Sequence, residues 1–189
     1  MAWTKYDSSG RRLGVGDAGP TGPMPDGEFW LGACGGTPST TGGCATAVQV
    51  EFGTNDVDLW LADFDDTAIE YMQWGGKMPD DWDGGTVTAK FVWIADSAVA
   101  NNVIWGLQGV GGGDGDAVDA AWGAAQEVTD TNTGQNQYNI SAATAAITLA
   151  GAGSGEHMQL RCYRNGAAGG DNLVGDARLR GVAVYYTRS

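Results

Sequence analysis

Glycine fills 32 of the 189 positions, more than twice the ~7% usual in soluble proteins. A glycine in a helix interior costs ~1 kcal/mol relative to alanine, because it gives up the most backbone freedom on ordering. At this density it excludes an all-helical fold and favours turns, bulges and close backbone approach. A core is still affordable, since 42% of residues are hydrophobic, while only 17% are charged. A chain of this length is expected to form one domain, or one domain with a short arm.

Period-two patterning then specifies what the glycines leave open. Val57, Leu59 and Leu61 alternate with Asp58, Trp60 and Ala62; Val87, Ala89, Phe91 and Trp93 alternate with Thr86, Thr88 and Lys90. Near the end, Ala177, Leu179, Gly181, Ala183 and Tyr185 alternate with Arg178, Arg180 and Val182. These are half-buried strands. Further strands are expected over 68–78, 103–109, 137–141, 145–149 and 157–164, with turns at Asp83-Gly84-Gly85 and Asn165-Gly166. About eight to ten short strands predict an all-β, jelly-roll β-sandwich. Residues 116–127 stay open between a helical turn and an irregular crossover, because Val118, Ala121, Trp122 and Ala125 fit helical spacing.

The N-terminal residues differ in texture. Three Gly-X-Y triplets run from Gly16 to Met24, with Pro20 and Pro23 holding φ near its polyproline II value. Residues 1–36 are read as an extended N-terminal arm and 37–189 as the jelly-roll domain. The arm holds Lys5, Arg11 and Arg12 among the chain's ten cations, so with Pro20 and Pro23 these are the candidate attachment residues. A flexible leader is the competing reading. The opening residues lack the apolar core of a signal peptide, and no apolar run is long enough to span a membrane. A net charge of −13 repels nucleic acid and anionic membrane surfaces; neither is expected as a partner.

Few residues suggest bond-making chemistry. The only histidine, His157, sits in an expected strand with no nucleophile elbow upstream, and it reads as a strand-surface or interface residue. Asp63, Asp65, Asp66 and Glu70 could supply a glycosidase pair, but aspartate-rich turns explain them more simply. Asp114, Asp116 and Asp119 are a weak calcium candidate that lacks the glycine and the terminal acid of an EF-hand loop. Cys34, Cys44 and Cys162 cannot complete a zinc quartet with one histidine. They are expected as free thiols, with a Cys34–Cys44 bridge as the alternative in an oxidising medium. Six tryptophans within the strand-rich body (Trp60, Trp74, Trp82, Trp93, Trp105, Trp122) are core or interface anchors, or platforms for sugar rings. No enzyme activity and no cofactor are expected.

Several segments carry a resemblance in their order: Asp63-Phe64-Asp65, Glu70-Tyr71-Met72-Gln73-Trp74, the run from Met78 to Thr88, Trp105-Gly106-Leu107-Gln108, Ala121-Trp122-Gly123, Val128-Thr129-Asp130-Thr131, Tyr163-Arg164, and Gly175 to Leu179. Over roughly residues 37–187 the chain resembles the jelly-roll virion proteins of tailed bacteriophages, some of which look like capsid decoration, cement or head-fibre subunits. The resemblance implies a homotrimer on the outside of a virion assembled in the host cytoplasm, bound to the major capsid protein or another virion protein. The alternative is a tail-fibre or receptor- and glycan-binding head. The N-terminal arm has no match in the pattern.

Overall fold

A computed structural model describes residues 26–189. The attachment candidates Lys5, Arg11, Arg12, Pro20 and Pro23 lie outside the described residues. Twelve strands form two sheets: β1 (Gly27–Gly32), β2 (Thr37–Pro38), β3 (Val48–Phe52), β4 (Val57–Phe64), β5 (Ile69–Lys77), β6 (Trp82–Ala95), β7 (Asn102–Gly112), β8 (Gln126–Thr131), β9 (Asn139–Ile140), β10 (Leu149–Ala150), β11 (His157–Asn165) and β12 (Ala177–Arg188). The first sheet runs β3-β4-β12-β6-β9 with β1 also beside β12; the second runs β10-β7-β11-β5-β2 with β8 also beside β7. Every ladder is antiparallel except the short β10–β7 pair. The long strands β4, β5, β6 and β7 cross alternately from one sheet to the other, which makes the fold an all-β jelly-roll sandwich. One 3-10 turn, Ala33–Gly35, is the only helical element among the described residues.

The core explains why these strands hold together. Trp105 lies at its centre, stacked on Phe91 at 5.7 Å and meeting Phe64 edge-on at 5.2 Å, with Trp93 at 6.3 Å. All four side chains are fully buried, and such aromatic pairs add ~0.5–1.5 kcal/mol each beyond the area they bury. Trp93 Nε1 donates to Asp130 Oδ2 at 2.7 Å, so its polar edge is satisfied. The open edge of β6 is closed differently. Ser141 and Thr144 hydroxyls accept from the Phe91 and Ala89 N–H groups, so a segment too irregular to be one strand still satisfies the ladder.

Three expectations change. Residues 27–32 pair with β12 from Gly27↔Tyr186 to Gly32↔Gly181, so the sandwich begins at β1 and the boundary at residue 36 falls inside the body. Asp83-Gly84-Gly85 is not a turn between strands but a bulge within β6, where Gly84 has φ +77° and the register with β12 shifts between Tyr186 and Arg188. A second register shift, between Leu179 and Gly181, swaps the faces of β12. Ala177 and Leu179 point inward before it, and Val182, Val184 and Tyr186 after it, instead of the uninterrupted alternation expected from the sequence.

Candidate functional site

The outer face of the second sheet carries a row of polar and aromatic side chains. On β11 Met158, Leu160, Cys162 and Arg164 are buried, which turns His157, Gln159, Arg161 and Tyr163 outward. Met72 and Trp74 do the same for Tyr71 and Gln73 on β5, and Leu107 for Gln108 on β7. Register then sets the rows: Arg161 lies between Gln108 and Gln73, and Tyr163 between Gly106 and Tyr71. Gly106 is required there, because a Cβ would lie 2.2 Å from the Tyr163 ring.

Arg161 is held in this face from three sides. Its guanidinium lies 4.4 Å from the Tyr71 ring centre and 4.4 Å from that of Trp122, while the Gln108 amide oxygen, turned toward it, accepts from Nε at 3.0 Å and from Nη2. Tyr71 is braced in turn by Tyr163 at 5.5 Å, whose hydroxyl donates to Glu127 Oε1 at 2.9 Å. Burial and that carboxylate push the Tyr163 phenol well above its usual range. Trp122 arrives from the irregular crossover between β7 and β8. Gly123 N donates to Gly109 O at 2.9 Å, an approach so close that a Cβ on Gly123 would meet Thr148 O at 2.3 Å.

Beside this stack lies a groove of about 500 Å³. Gln73 and Gln159 form part of its lining, their amides hydrogen-bonded to each other at 3.3 Å, and Gln73 Nε2 donates to Ser39 Oγ at 2.7 Å. The residues 111–113, all glycine, line it without side chains; Asp116, Asp119 and Trp122 come from the crossover, and His157 from β11. Arg161 does not line the groove. The set therefore offers one indole, one imidazole, two amides able to donate and accept, and two carboxylates. It can hold a hydroxyl-bearing ring against an aromatic face.

The sequence candidates fall variously around this site. Asp114, Asp116 and Asp119 are exposed; Asp116 Oδ2 accepts from Gly113 N at 2.9 Å, and among the described residues no group of three or more His, Cys, Asp or Glu is placed to hold a metal ion. The crossover is irregular and not helical, with Val118 fully exposed. Asp63, Asp65, Asp66 and Glu70 scaffold a turn. Glu70 accepts from Asp65 N, Asp65 from Thr67 N, and Asp66 from Gly175 N, while Asp63 pairs with Arg178 at 3.5 Å. Burial raises the Asp63 and Glu70 carboxyls, and the Thr67 hydrogen bonds lower Asp65. The three cysteines are free, Cys34 exposed and the other two buried. Of the six body tryptophans, Trp74, Trp82, Trp93 and Trp105 are core, Trp60 is exposed and Trp122 walls the groove. Sequence reasoning named Gln73 and Gln108 only inside the segments that carry the resemblance and did not single out Gln159 or Arg161; the signal was polar residues on outward positions of three paired strands, β5, β11 and β7.

No family model and no curated protein matches the sequence. Among solved structures, the chain is similar to the CBM35 from Cellvibrio japonicus Abf62, with a TM-score of 0.45, 8% identity, and coverage of 86% of this chain and 99% of that one. It is similar to the CBM35 from Paenibacillus barcinonensis at TM-score 0.41 and 14% identity, covering 84% of this chain and 97% of that one. A Paenibacillus sp. cycloisomaltooligosaccharide glucanotransferase complexed with cycloisomaltoheptaose matches at TM-score 0.41 and 10% identity, over 78% of this chain and 17% of the other. At these scores the neighbours carry no functional information about this chain.

Proposed function

We propose that the chain is a non-catalytic binding domain whose groove on the second sheet takes a saccharide. The observation that carries the reading is that Trp122 and the Gln73–Gln159 amide pair line one groove. A sugar ring has an apolar C–H face and a rim of hydroxyls. An indole packs against the first, and amides and carboxylates hydrogen-bond the second. These residues hold hydroxyls rather than attack a bond. With Asp116 and Asp119 in the lining and Arg161 withdrawn between two rings, neutral or amine-bearing saccharides are favoured and uronates repelled. Calorimetric titration with neutral, amine-bearing and uronate oligosaccharides tests this. Trp122→Ala should weaken the best ligand at least tenfold, as loss of an aromatic anchor does; equal binding by that variant would refute the reading.

The second reading is a homotrimeric subunit that decorates or cements a tailed-phage capsid through its major capsid protein. Motif order over residues 37–187 favours it, and the sandwich is the fold that the resemblance implies. The two readings meet in a glycan-binding head carried on a virion. Light scattering and copy number per particle separate them: a cement protein forms trimers and approaches the copy number of the major capsid protein, whereas a fibre head is present in far fewer copies.

A further inference from the structure

We infer that Arg161 is a positioning residue for the groove: its guanidinium, clamped between Tyr71 and Trp122, sets the indole at the angle from which it walls the binding site. The inference rests in part on the saccharide reading, since only a ligand makes that angle matter, but the clamp itself is independent of any ligand.

The crossover from Gly113 to Ala125 belongs to no strand, yet much of the groove lining comes from it, including the polar and aromatic side chains of Asp116, Asp119 and Trp122. The bond from Gly123 N to Gly109 O fixes the height of the segment above β7 but not the rotation of the neighbouring indole. That rotation is fixed by what the ring lies against, which is the guanidinium 4.4 Å from its centre. Arg161 is held in place by a second ring, Tyr71, at the same 4.4 Å distance, and by Gln108, only 9% exposed, which accepts from Nε and Nη2. Planarity matters as much as charge here. A guanidinium can stack on two rings at once while donating in its own plane to an amide, and an ammonium cannot. The series Glu127, Tyr163, Tyr71, Arg161, Trp122 is therefore a brace across three strands that ends on the one aromatic wall of the groove.

The structure also explains why the brace can be removed without unfolding the sandwich. Arg161, Tyr71 and Gln108 all stand on the outward face of the sheet, apart from the cluster built around Trp105. Two variants make the test: Arg161→Lys, which keeps the charge and loses the plane, and Arg161→Leu, which keeps aliphatic bulk and loses both charge and plane. Protein labelled with fluorotryptophan gives one fluorine resonance per indole, and Trp122→Phe identifies the Trp122 signal. The expected result is a sharp Trp122 resonance in the parent and a shifted and broadened one in both variants, with the Trp93 and Trp105 resonances unmoved as the record of an intact core. Affinity for the best saccharide should fall about tenfold in both variants, as when a residue acts through an anchor. A Trp122 resonance unchanged in Arg161→Leu, or full rescue by Arg161→Lys, overturns the inference. If the parent binds no saccharide, the binding reading fails while the fluorine spectrum still decides the clamp. If Arg161→Leu also disturbs Trp93 and Trp105, Gln108→Leu, which removes only the acceptor, must move the Trp122 resonance alone or the inference falls.

Discussion

Asp171→Ala should destabilise the domain by about 3–5 kcal/mol, the usual cost of leaving one member of a buried ion pair without its partner. Arg164 and Asp171 are both fully removed from solvent at their side chains and meet at 2.8 Å. All five guanidinium donors are used: Nε and Nη2 on the Asp171 carboxylate, the second Nη2 hydrogen on Leu173 O at 2.6 Å, and Nη1 on Phe64 O and Gly175 O at 3.0 and 2.7 Å. Asp171 Oδ2 also accepts from Ile104 N at 2.9 Å. The pair therefore ties the loop after β11 to β4 and β7, and removing the carboxylate strands a cation in the interior. For a chain of this size the loss corresponds to roughly 6–20 °C in melting temperature. Arg164→Met should cost a similar amount, since it orphans three carbonyls and the carboxylate together. The double variant Arg164→Met with Asp171→Ala should cost less than the sum of the two, because neither charge remains. Urea unfolding of the four proteins measures each term. If Asp171→Ala costs under about 1 kcal/mol, or the double variant is additive, the pair is not the interior anchor described.

Other outcomes follow from close contacts and buried thiols. Gly123→Ala has nowhere to put its methyl, 2.3 Å from Thr148 O and 3.0 Å from Gly109 O; it should lift the crossover and abolish groove binding while costing about 1–3 kcal/mol in urea unfolding. Gly106→Ala should drive Tyr163 from its place over β7 and release the phenol from Glu127, seen as a phenol that titrates closer to the ordinary tyrosine range. Burial raises the Cys44 thiol to about 12 and Cys162 well above 9.0, so at pH 8 a thiol reagent should label Cys34 and spare both until urea unfolds the chain. The sign of the linkage is set by the unfolded state, which releases its thiol protons near 9 while the folded state holds them. Stability should therefore fall as pH rises through that value, by about 1.4 kcal/mol per buried thiol at pH 10; a urea midpoint that stays level or rises from pH 8 to 10 would contradict it.

Most of the sandwich was legible because the strands that build its core alternate in sequence as they do in space. Phe91 and Trp93 on β6 and the apolar positions of β11 marked the inward face directly. β8 was missed because Gln126 to Thr131 has a single apolar side chain, Val128, which packs against the core while its neighbours face solvent. β1 was hidden by the glycine and proline texture before it, and its pairing with β12 joins residues some 150 positions apart, a contact no local pattern encodes. The bulge at Arg180 likewise depends on how β12 meets two partners, β1 and β4, along one edge. At the site, the helical spacing of Val118, Ala121, Trp122 and Ala125 was misleading. Trp122 is placed by Arg161, which stands on a different strand, so its role appears only once the chain is folded.

Saccharide binding in the groove walled by Trp122 is the property from which the proposed role follows. Amide chemical-shift mapping of labelled protein, titrated with the tightest oligosaccharide of the calorimetric panel, tests it residue by residue. Saturable shifts are expected at Gln73, residues 111–113, Trp122 and Gln159, all lost in Trp122→Ala. Shifts confined to the first sheet, or a titration with neutral and amine-bearing oligosaccharides that moves no groove resonance, would contradict it.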